Sequence, residues 1–228
     1  RIMYWYPTEA YDQLLETIAR LPKVVKYVDI PLQHSHPDVL SAMARPKHPE
    51  RVVERIRAAI PAVKVRSTII VGFPGETEEQ FEHLAQFIEE QKFDRLGVFT
   101  YSKQIEVPSG HMPDQITEKV KKSRRKRIMS IQHEISASLN QAMVGQEIDV
   151  LIESYDDRKQ VYCGRSQWDA PQIDNQVYVR DTEYGAVSMG DVVRVRIESA
   201  TAYDLFGTAI DDNSAAANHC EELVVSSR

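Results

Sequence analysis

At 228 residues, with 42% hydrophobic and 27% charged residues and a formal net charge of -6, the chain has the composition of a soluble globular protein of one large domain or two smaller ones. It holds no run of about 18 apolar residues and no opening signal-peptide pattern, which excludes a transmembrane helix and predicts an intracellular, cytoplasmic setting. Two cysteines, Cys163 and Cys220, are too few for a disulfide framework or a four-ligand zinc or iron–sulfur site, so metal chemistry would need ligands from elsewhere.

The opening run Arg1-Ile2-Met3-Tyr4-Trp5-Tyr6 reads as an interior β-strand rather than a natural N-terminus, which predicts a fragment of a longer protein. An edge strand opening a complete domain is the alternative. Over the first hundred residues short apolar runs alternate with amphipathic stretches. Tyr27 to Leu32, Lys64 to Val71 and Arg95 to Tyr101 are rich in β-branched or aromatic residues and predict strands. Glu9 to Arg20, Pro49 to Ile60 and Thr77 to Glu90 space their apolar residues on one helical face. Thr77 is an N-cap candidate, followed by acidic residues in the first turn. Strand and helix alternate four times, which argues for parallel strands covered by helices, with ligands at the C-terminal strand ends. Four units do not close a barrel, so the pattern fits either an open sheet or a barrel with units missing upstream, and the abrupt start favours the second.

Pro108 to Pro113 predicts a loop, and Thr117 to Val144 one long helix with seven Lys or Arg between Lys119 and Arg127. Ile128, Ile131, Ile135 and Leu139 keep helical spacing, so the basic block is expected to be a solvated face, with a nucleic-acid contact as the sharper alternative. Gly145 suits the position just past the helix end. From Gln146 the period becomes two. Segments 147–153, 161–163, 177–179, 191–197 and 203–207 predict five short strands and a small antiparallel barrel of the OB type. The expected organisation is thus 1–116, a helix over 117–145, a small barrel over 146–210 and a flexible tail over 211–228.

Charge divides unevenly between these regions. Residues 146–210 carry twelve acids against six bases, the tail four acids and one Arg, and residues 1–145 eighteen acids against twenty-one bases. Phosphate neutralisation dominates nucleic-acid affinity, so an acidic barrel is poorly suited to RNA and better suited to a basic protein such as a ribosomal protein. The alternative is that the charge only keeps the domain soluble.

Two segments carry the candidate chemistry. Thr68-Ile69-Ile70-Val71 runs into Gly72-Phe73-Pro74-Gly75-Glu76-Thr77, where two glycines permit close backbone approach, Pro74 stiffens the turn and a helix N-terminus follows. The spacing is neither a P-loop nor a dinucleotide fingerprint, and a tight turn without a ligand is an equal reading. Asp29-Ile30-Pro31-Leu32-Gln33-His34-Ser35-His36 places ionisable groups at a strand end, where His34 could act as acid, base or hydrogen-bond donor, although a structural His is the commoner case.

The ordered set Met3-Tyr4-Trp5-Tyr6-Pro7, Asp29-Ile30-Pro31-Leu32-Gln33-His34, Arg66 to Thr77 and Phe93 to Phe99 resembles the radical SAM methylthiotransferases over residues 1 to 210. The resemblance implies a partial (β/α) radical SAM barrel followed by a TRAM domain, the small five-stranded barrel inferred above. Gly164-Arg165, Asp169-Ala170-Pro171 and Ile173-Asp174 are similar to the branch that modifies an aspartate of a small-subunit ribosomal protein, and the tRNA-modifying branch lacks the Asp-Ala-Pro element. It further implies S-adenosylmethionine and two 4Fe-4S clusters. In this chemistry a deoxyadenosyl radical takes hydrogen from the aspartate β-carbon, and sulfur comes from the auxiliary cluster. The family's Cys-x-x-x-Cys-x-x-Cys loop and its second three-cysteine set are not in the sequence, so no metal ligands are expected here, and the fragment alone is expected to be inactive.

The resemblance implies cofactor contacts at Gly72, Phe73, Pro74, Gly75 and Glu76, with Gln33, His34 and Arg66 at the strand ends. Arg66 could meet the methionine carboxylate in a bidentate pair or form a simple surface pair. The candidate partner surface of the TRAM region is Tyr162, Arg165, Trp168, Asp169 and Asp174, with Trp168 and Tyr162 as barrel core in the alternative. The expected partner is the small-subunit ribosomal protein, with ribosomal RNA as a further contact and no membrane. The rivals are a tRNA methylthiotransferase acting on a modified adenosine and a non-catalytic RNA-binding module.

Overall fold

A computed structural model describes residues 1–180 and 187–210. The predicted tail over 211–228, with Cys220, lies outside the described residues. The chain divides into two compact units, residues 1–139 and 140–228. Among the described residues no helix is long and apolar enough to cross a membrane.

The first unit is built on three parallel strands in the order β1 (Tyr27–Asp29), β2 (Lys64–Val71) and β3 (Arg95–Thr100). Along β2, Val65, Ser67, Ile69 and Val71 are fully buried while Lys64, Arg66, Thr68 and Ile70 are half-buried on the other face. Five helices accompany the sheet: α1 (Asp12–Arg20), α2 (Pro37–Ala42), α3 (Pro49–Ala59), α4 (Glu78–Gln91) and α5 (Glu118–Gln141). Val53, Ile56, Phe81, Leu84 and Ile88 from α3 and α4 join Val28, Val65 and Ile69 in one core. The one-face spacing of the sequence therefore becomes burial. Thr77 caps α4 reciprocally: its Oγ1 accepts from the Gln80 N–H at 3.2 Å and Gln80 Oε1 accepts from the Thr77 N–H at 3.0 Å.

Four expectations for this unit need correction. Arg1 to Tyr6 is not a strand: Ile2 makes a single parallel bridge to Val28, and Tyr4 breaks the extension with φ +56. The strand predicted to Leu32 stops at Asp29, since Pro31 has no N–H for a ladder, and pairing resumes only at a Gln33–Ile69 bridge. The segment before α3 holds a short helix, α2, that the apolar spacing did not show. His36 caps it by accepting from the Asp38 N–H at 3.3 Å, and Pro37 occupies its first turn. Pro108–His111, expected as loop, forms one 3₁₀ turn.

The second unit is a closed barrel of β4 (Glu147–Asp156), β5 (Val161–Ser166), β6 (Val177–Arg180), β7 (Val192–Ala200) and β8 (Leu205–Ala209) in the order β4-β5-β6-β8-β7. The sequence suggested antiparallel pairing throughout, but β6 and β8 run parallel. This is the strand arrangement of OB folds. Ile148, Val150, Ile152, Val177, Val179, Val195, Ile197 and Leu205 fill the interior. Period-two alternation puts every second side chain there. A Cβ on Gly207 would collide with the Arg196 carbonyl, so a close strand crossing fixes that glycine.

Candidate cofactor pocket

β2 ends in the turn 72–77, and the turn is folded around the side chain of Glu76. Its Oε2 accepts from the Gly72 N–H at 2.6 Å and the Phe73 N–H at 3.2 Å. Its Oε1 accepts from Arg124 Nη1 at 2.8 Å, and the same guanidinium donates to the Glu76 carbonyl at 3.1 Å and to Glu78 Oε2 at 3.0 Å. Burial pushes the Glu76 carboxyl above its ordinary value and outweighs the opposing pull of Arg124 and the two amides. Gly75 N–H donates to the Asp114 carbonyl at 3.0 Å, so a fourth chain segment fixes the turn.

Lys121 completes the brace. Its Nζ donates to the Tyr101 carbonyl at 2.9 Å and to Glu118 Oε1 at 2.8 Å. Its stem lies so close to Gly72 that a Cβ there would overlap Lys121 Cγ, and Gly72 also has φ +76. Gly72 is thus required by the chain's own packing. Lys121 is 4% and Arg124 7% exposed, so these two cations of the basic block point inward, while Lys119, Lys122, Arg125, Lys126 and Arg127 are exposed as a solvated face expects. Arg125 Nε donates to the Val98 carbonyl at 2.9 Å, and Arg127 pairs with Glu82.

Against the turn lies a cavity of about 390 Å³. Gln33, Met43, Ile70, Phe73, Tyr101 and Ser109 line it, so it opens where β1, β2 and β3 end. Phe73 and Tyr101 meet edge to face with ring centres 5.3 Å apart, and Tyr101 Oη donates to Ser109 Oγ at 3.0 Å. Gln33 has φ +75, and its buried Oε1 has no hydrogen-bond partner. A strained residue with an unsatisfied acceptor, among the residues lining a largely apolar cavity, makes Gln33 a candidate for a ligand contact.

The structure separates the predicted residues by role. Gln33 and Phe73 line the cavity, while Gly72, Pro74, Gly75 and Glu76 shape the turn beside it. His34 is fully buried. Its Nδ1 accepts from the His36 N–H at 3.0 Å and its Nε2 stands 3.8 Å from Glu76 Oε2. Burial, with His36, His83 and Arg124 nearby, lowers its pKa to about 3, so the ring is neutral and carries its proton on Nε2. Arg66 donates to Asp29 Oδ1 at 3.0 Å and to Thr68 Oγ1 at 3.4 Å, away from the cavity lining. Sequence reasoning missed Met43 and Ser109, which come from the end of α2 and the 3₁₀ turn. Neither short element has an apolar period to reveal it.

On the barrel, Tyr162 and Trp168 pack against the core, and Arg165 Nε donates to Glu153 Oε1 at 2.9 Å. Asp169 is buried and its Oδ2 accepts from Ser166 Oγ at 2.6 Å, while Asp174 Oδ2 accepts from the Ala170 N–H at 2.8 Å. Both aspartates brace the 166–174 loop. Among the described residues no three His, Cys, Asp or Glu side chains converge as metal ligands, and Cys163 is a free, buried thiol on β5.

Residues 5–88 match the radical SAM superfamily, and residues 144–210 match the TRAM domain family. Similar curated proteins include the ribosomal protein uS12 methylthiotransferases RimO of Desulforamulus reducens, 46% identical over 211 residues, and Gloeothece citriformis, 44% identical over 214. The chain is thus similar to radical SAM methylthiotransferases over most of its length. These alignments cover 91% and 92% of this chain and 47% and 48% of the relatives, so the chain spans about half the length of the curated relatives it matches. The fold is also that of the radical SAM enzyme coproporphyrinogen III oxidase (HemN) of Escherichia coli, at TM-score 0.50 and 12% identity over 96% of this chain and 53% of that one. Gln33, Met43, Ile70 and Phe73 of the cavity lie within the radical SAM match, and the small barrel coincides with the TRAM match.

Proposed function

We propose that the chain is part of a cytoplasmic methylthiotransferase that adds a methylthio group to the β-carbon of an aspartate in ribosomal protein uS12, with S-adenosylmethionine held in the cavity at the strand ends. The observation that carries this reading is the unpartnered Gln33 Oε1 in an apolar cavity, within a chain that is 46% identical to a uS12 methylthiotransferase. The residues present fit an adenosyl group. Ile70, Phe73 and Tyr101 give an aromatic and aliphatic wall, and the unpartnered Gln33 Oε1 is available to accept one N–H. When bound with a reduced 4Fe-4S cluster in the whole enzyme, S-adenosylmethionine would supply hydrogen-abstracting radical chemistry. Cluster ligands belong to the proposal for the whole enzyme.

The chain's own part is to bind, orient and exclude water. Glu76 holds the two amides of the turn and Arg124 holds Glu76, so Phe73 is kept against Tyr101 whether or not a ligand is present. His34, neutral and enclosed, is a spacer beneath the turn rather than an acid or base. Arg66, held by Asp29, fixes the sheet edge. Substrate contacts are proposed for the TRAM domain, whose excess of acids favours a basic ribosomal protein over tRNA. Burial of Lys121 and Arg124 weakens the reading as an RNA-binding module.

Substituting Gln33→Leu in the full-length enzyme tests this reading. It leaves the fold intact and is expected to weaken S-adenosylmethionine binding about tenfold by removing one hydrogen bond in an apolar site. The methylthio mass gain on uS12 is expected to fall in parallel. Unchanged binding would remove the cavity from the cofactor site, and a mass gain on tRNA with none on uS12 would replace the substrate.

A further inference from the structure

Tyr178 on β6 and Phe206 on β8 stand opposite each other in the parallel ladder, with ring centres 5.2 Å apart and planes 16° from parallel. Their neighbours Val177, Val179 and Leu205 point into the barrel core, so the two rings lie on the outer wall. This wall includes β5 and β6, the second and third strands of the barrel, which is the ligand face of OB folds. Here it carries a flat aromatic step, both rings half-buried.

A cation already sits on that step. Lys159, from the turn between β4 and β5, places its Nζ 4.6 Å from the centre of the Tyr178 ring and 3.8 Å from Asp156 Oδ2. Its side chain is 60% exposed, so it is held only weakly and can leave. A π face beside a carboxylate is a seat for an ammonium or guanidinium group.

The surrounding charge points the same way. The segment 146–210 has twelve acids and six bases, and five of those bases already face a carboxylate: Lys159 with Asp156, Arg165 with Glu153, Arg180 with Glu198, Arg194 with Asp149 and Arg196 with Glu147. Few cations remain to meet phosphates, whereas carboxylates remain in excess. Stacking aromatics on such a barrel would suit nucleobases if the field were positive, and here it is negative.

We infer that the Tyr178–Phe206 step, with Asp156 at its side, is a docking seat for an arginine or lysine side chain of a basic protein segment, and that Lys159 occupies the seat until the partner displaces it. The inference deepens the substrate reading above and assigns residues that the sequence had not singled out. It gives the TRAM domain a central anchor, the kind of aromatic and arginine contact that dominates protein interfaces.

Titrations of the whole chain at fixed salt with three probes, uS12, an arginine-rich peptide and a single-stranded oligouridine, test it. Tyr178→Leu keeps an apolar side chain of similar reach but removes the π face, and it is expected to weaken both basic probes about tenfold. Lys159→Ala removes the internal competitor and is expected to tighten both about threefold, a gain that a folding defect cannot mimic. Peptide binding that follows these two variants without any uS12 binding would uphold the seat and sink the uS12 reading. The seat itself is overturned if the wild-type chain binds neither basic probe, if Tyr178→Leu binds as wild type, or if Lys159→Ala weakens binding. Tighter binding of oligouridine, lost in Lys159→Ala, would make the step a base-stacking platform instead.

Discussion

In the first unit Glu76, Arg124 and His34 are buried together at the end of β2, and Lys121 and Asp29 are buried on bonds to the Tyr101 carbonyl and to Arg66. The TRAM barrel is filled by Ile148, Val150, Ile152, Val177, Val179, Val195 and Ile197, and its pairs Arg194–Asp149 and Arg196–Glu147 are on the outer surface. A buried ion pair seldom stabilises more than a well-packed apolar pair would, because desolvation offsets most of the attraction. The aliphatic interior is therefore what a domain needs for stability alone. The polar interior indicates a geometric requirement, and the geometry it fixes is the turn beside the cavity.

Breaking the brace gives the largest expected effect. Arg124→Met leaves the Glu76 carboxyl buried without its cation and is expected to destabilise the first unit by about 3–5 kcal/mol. Adding Glu76→Gln should recover most of the loss, since the unpaired charge is then gone. The chain has two tryptophans, Trp5 in the first unit and Trp168 in the second, so urea unfolding followed in a Trp168→Phe background reports the first unit alone. Equal loss in the single and double variants would show that Arg124 contributes packing rather than charge.

Acid should act on the same interior through His34. Its pKa falls from 6.5 to about 3 on folding, because burial, then His36, His83 and Arg124, disfavour the charged ring. A lowered histidine stabilises fully above its free pKa, and that stability is lost as pH falls from 6.5 toward 3, roughly 4 kcal/mol in all. Glu76 faces it and works in the opposite sense, since a raised carboxyl favours its protonated form in the fold. The expected outcome is that His34→Asn flattens the acid limb of the first unit's stability profile between pH 6.5 and 4. An unchanged limb would assign acid sensitivity elsewhere.

The extent to which the sequence disclosed this interior follows the length of its signals. The strand Lys64–Val71 and the helix faces of Phe81, Leu84 and Ile88 were legible because several residues repeat one period. The turn at Gly72 was legible as a turn, but its cause was not. A glycine pair looks the same whether it admits a ligand or a lysine forty-nine positions later, and only the fold shows that Lys121 lies on Gly72. The basic block hid its two inward members for the same reason: Lys121 and Arg124 find Tyr101 and Glu76 far away in sequence, while the other five cations stay exposed. The Tyr178–Phe206 step depends on a parallel pairing that local alternation cannot reveal.

That distinction at Gly72 predicts an intermediate effect. Gly72→Ala meets both a positive φ and the Lys121 stem, whereas Gly75→Ala has φ +78 with nothing within 4 Å of the new methyl. Gly75→Ala should therefore cost about 1 kcal/mol, the conformational penalty alone, and Gly72→Ala about 2–3 kcal/mol. Combining Gly72→Ala with Lys121→Ala is expected to couple favourably, removing the clash while leaving the strain. Additive losses in the four-member cycle would separate Lys121 from the turn.

The smallest effect is expected on the barrel surface, where the comparison with the radical SAM region is sharpest. Arg194 Nη1 lies 2.9 Å from Asp149 Oδ1, slightly farther than Arg124 Nη1 from Glu76 Oε1 at 2.8 Å, so the two contacts have nearly the same geometry. Their settings differ: the side chains are 38% and 60% exposed in the first pair and 7% and 0% in the second. Water already solvates Arg194 and Asp149 when they part, so Arg194→Gln should change the second unit's stability by less than about 1 kcal/mol and respond to added salt. Trp168 fluorescence in a Trp5→Phe background measures it. A loss as large as that of Arg124→Met would mean that distance, rather than burial, governs the ion pairs of this chain.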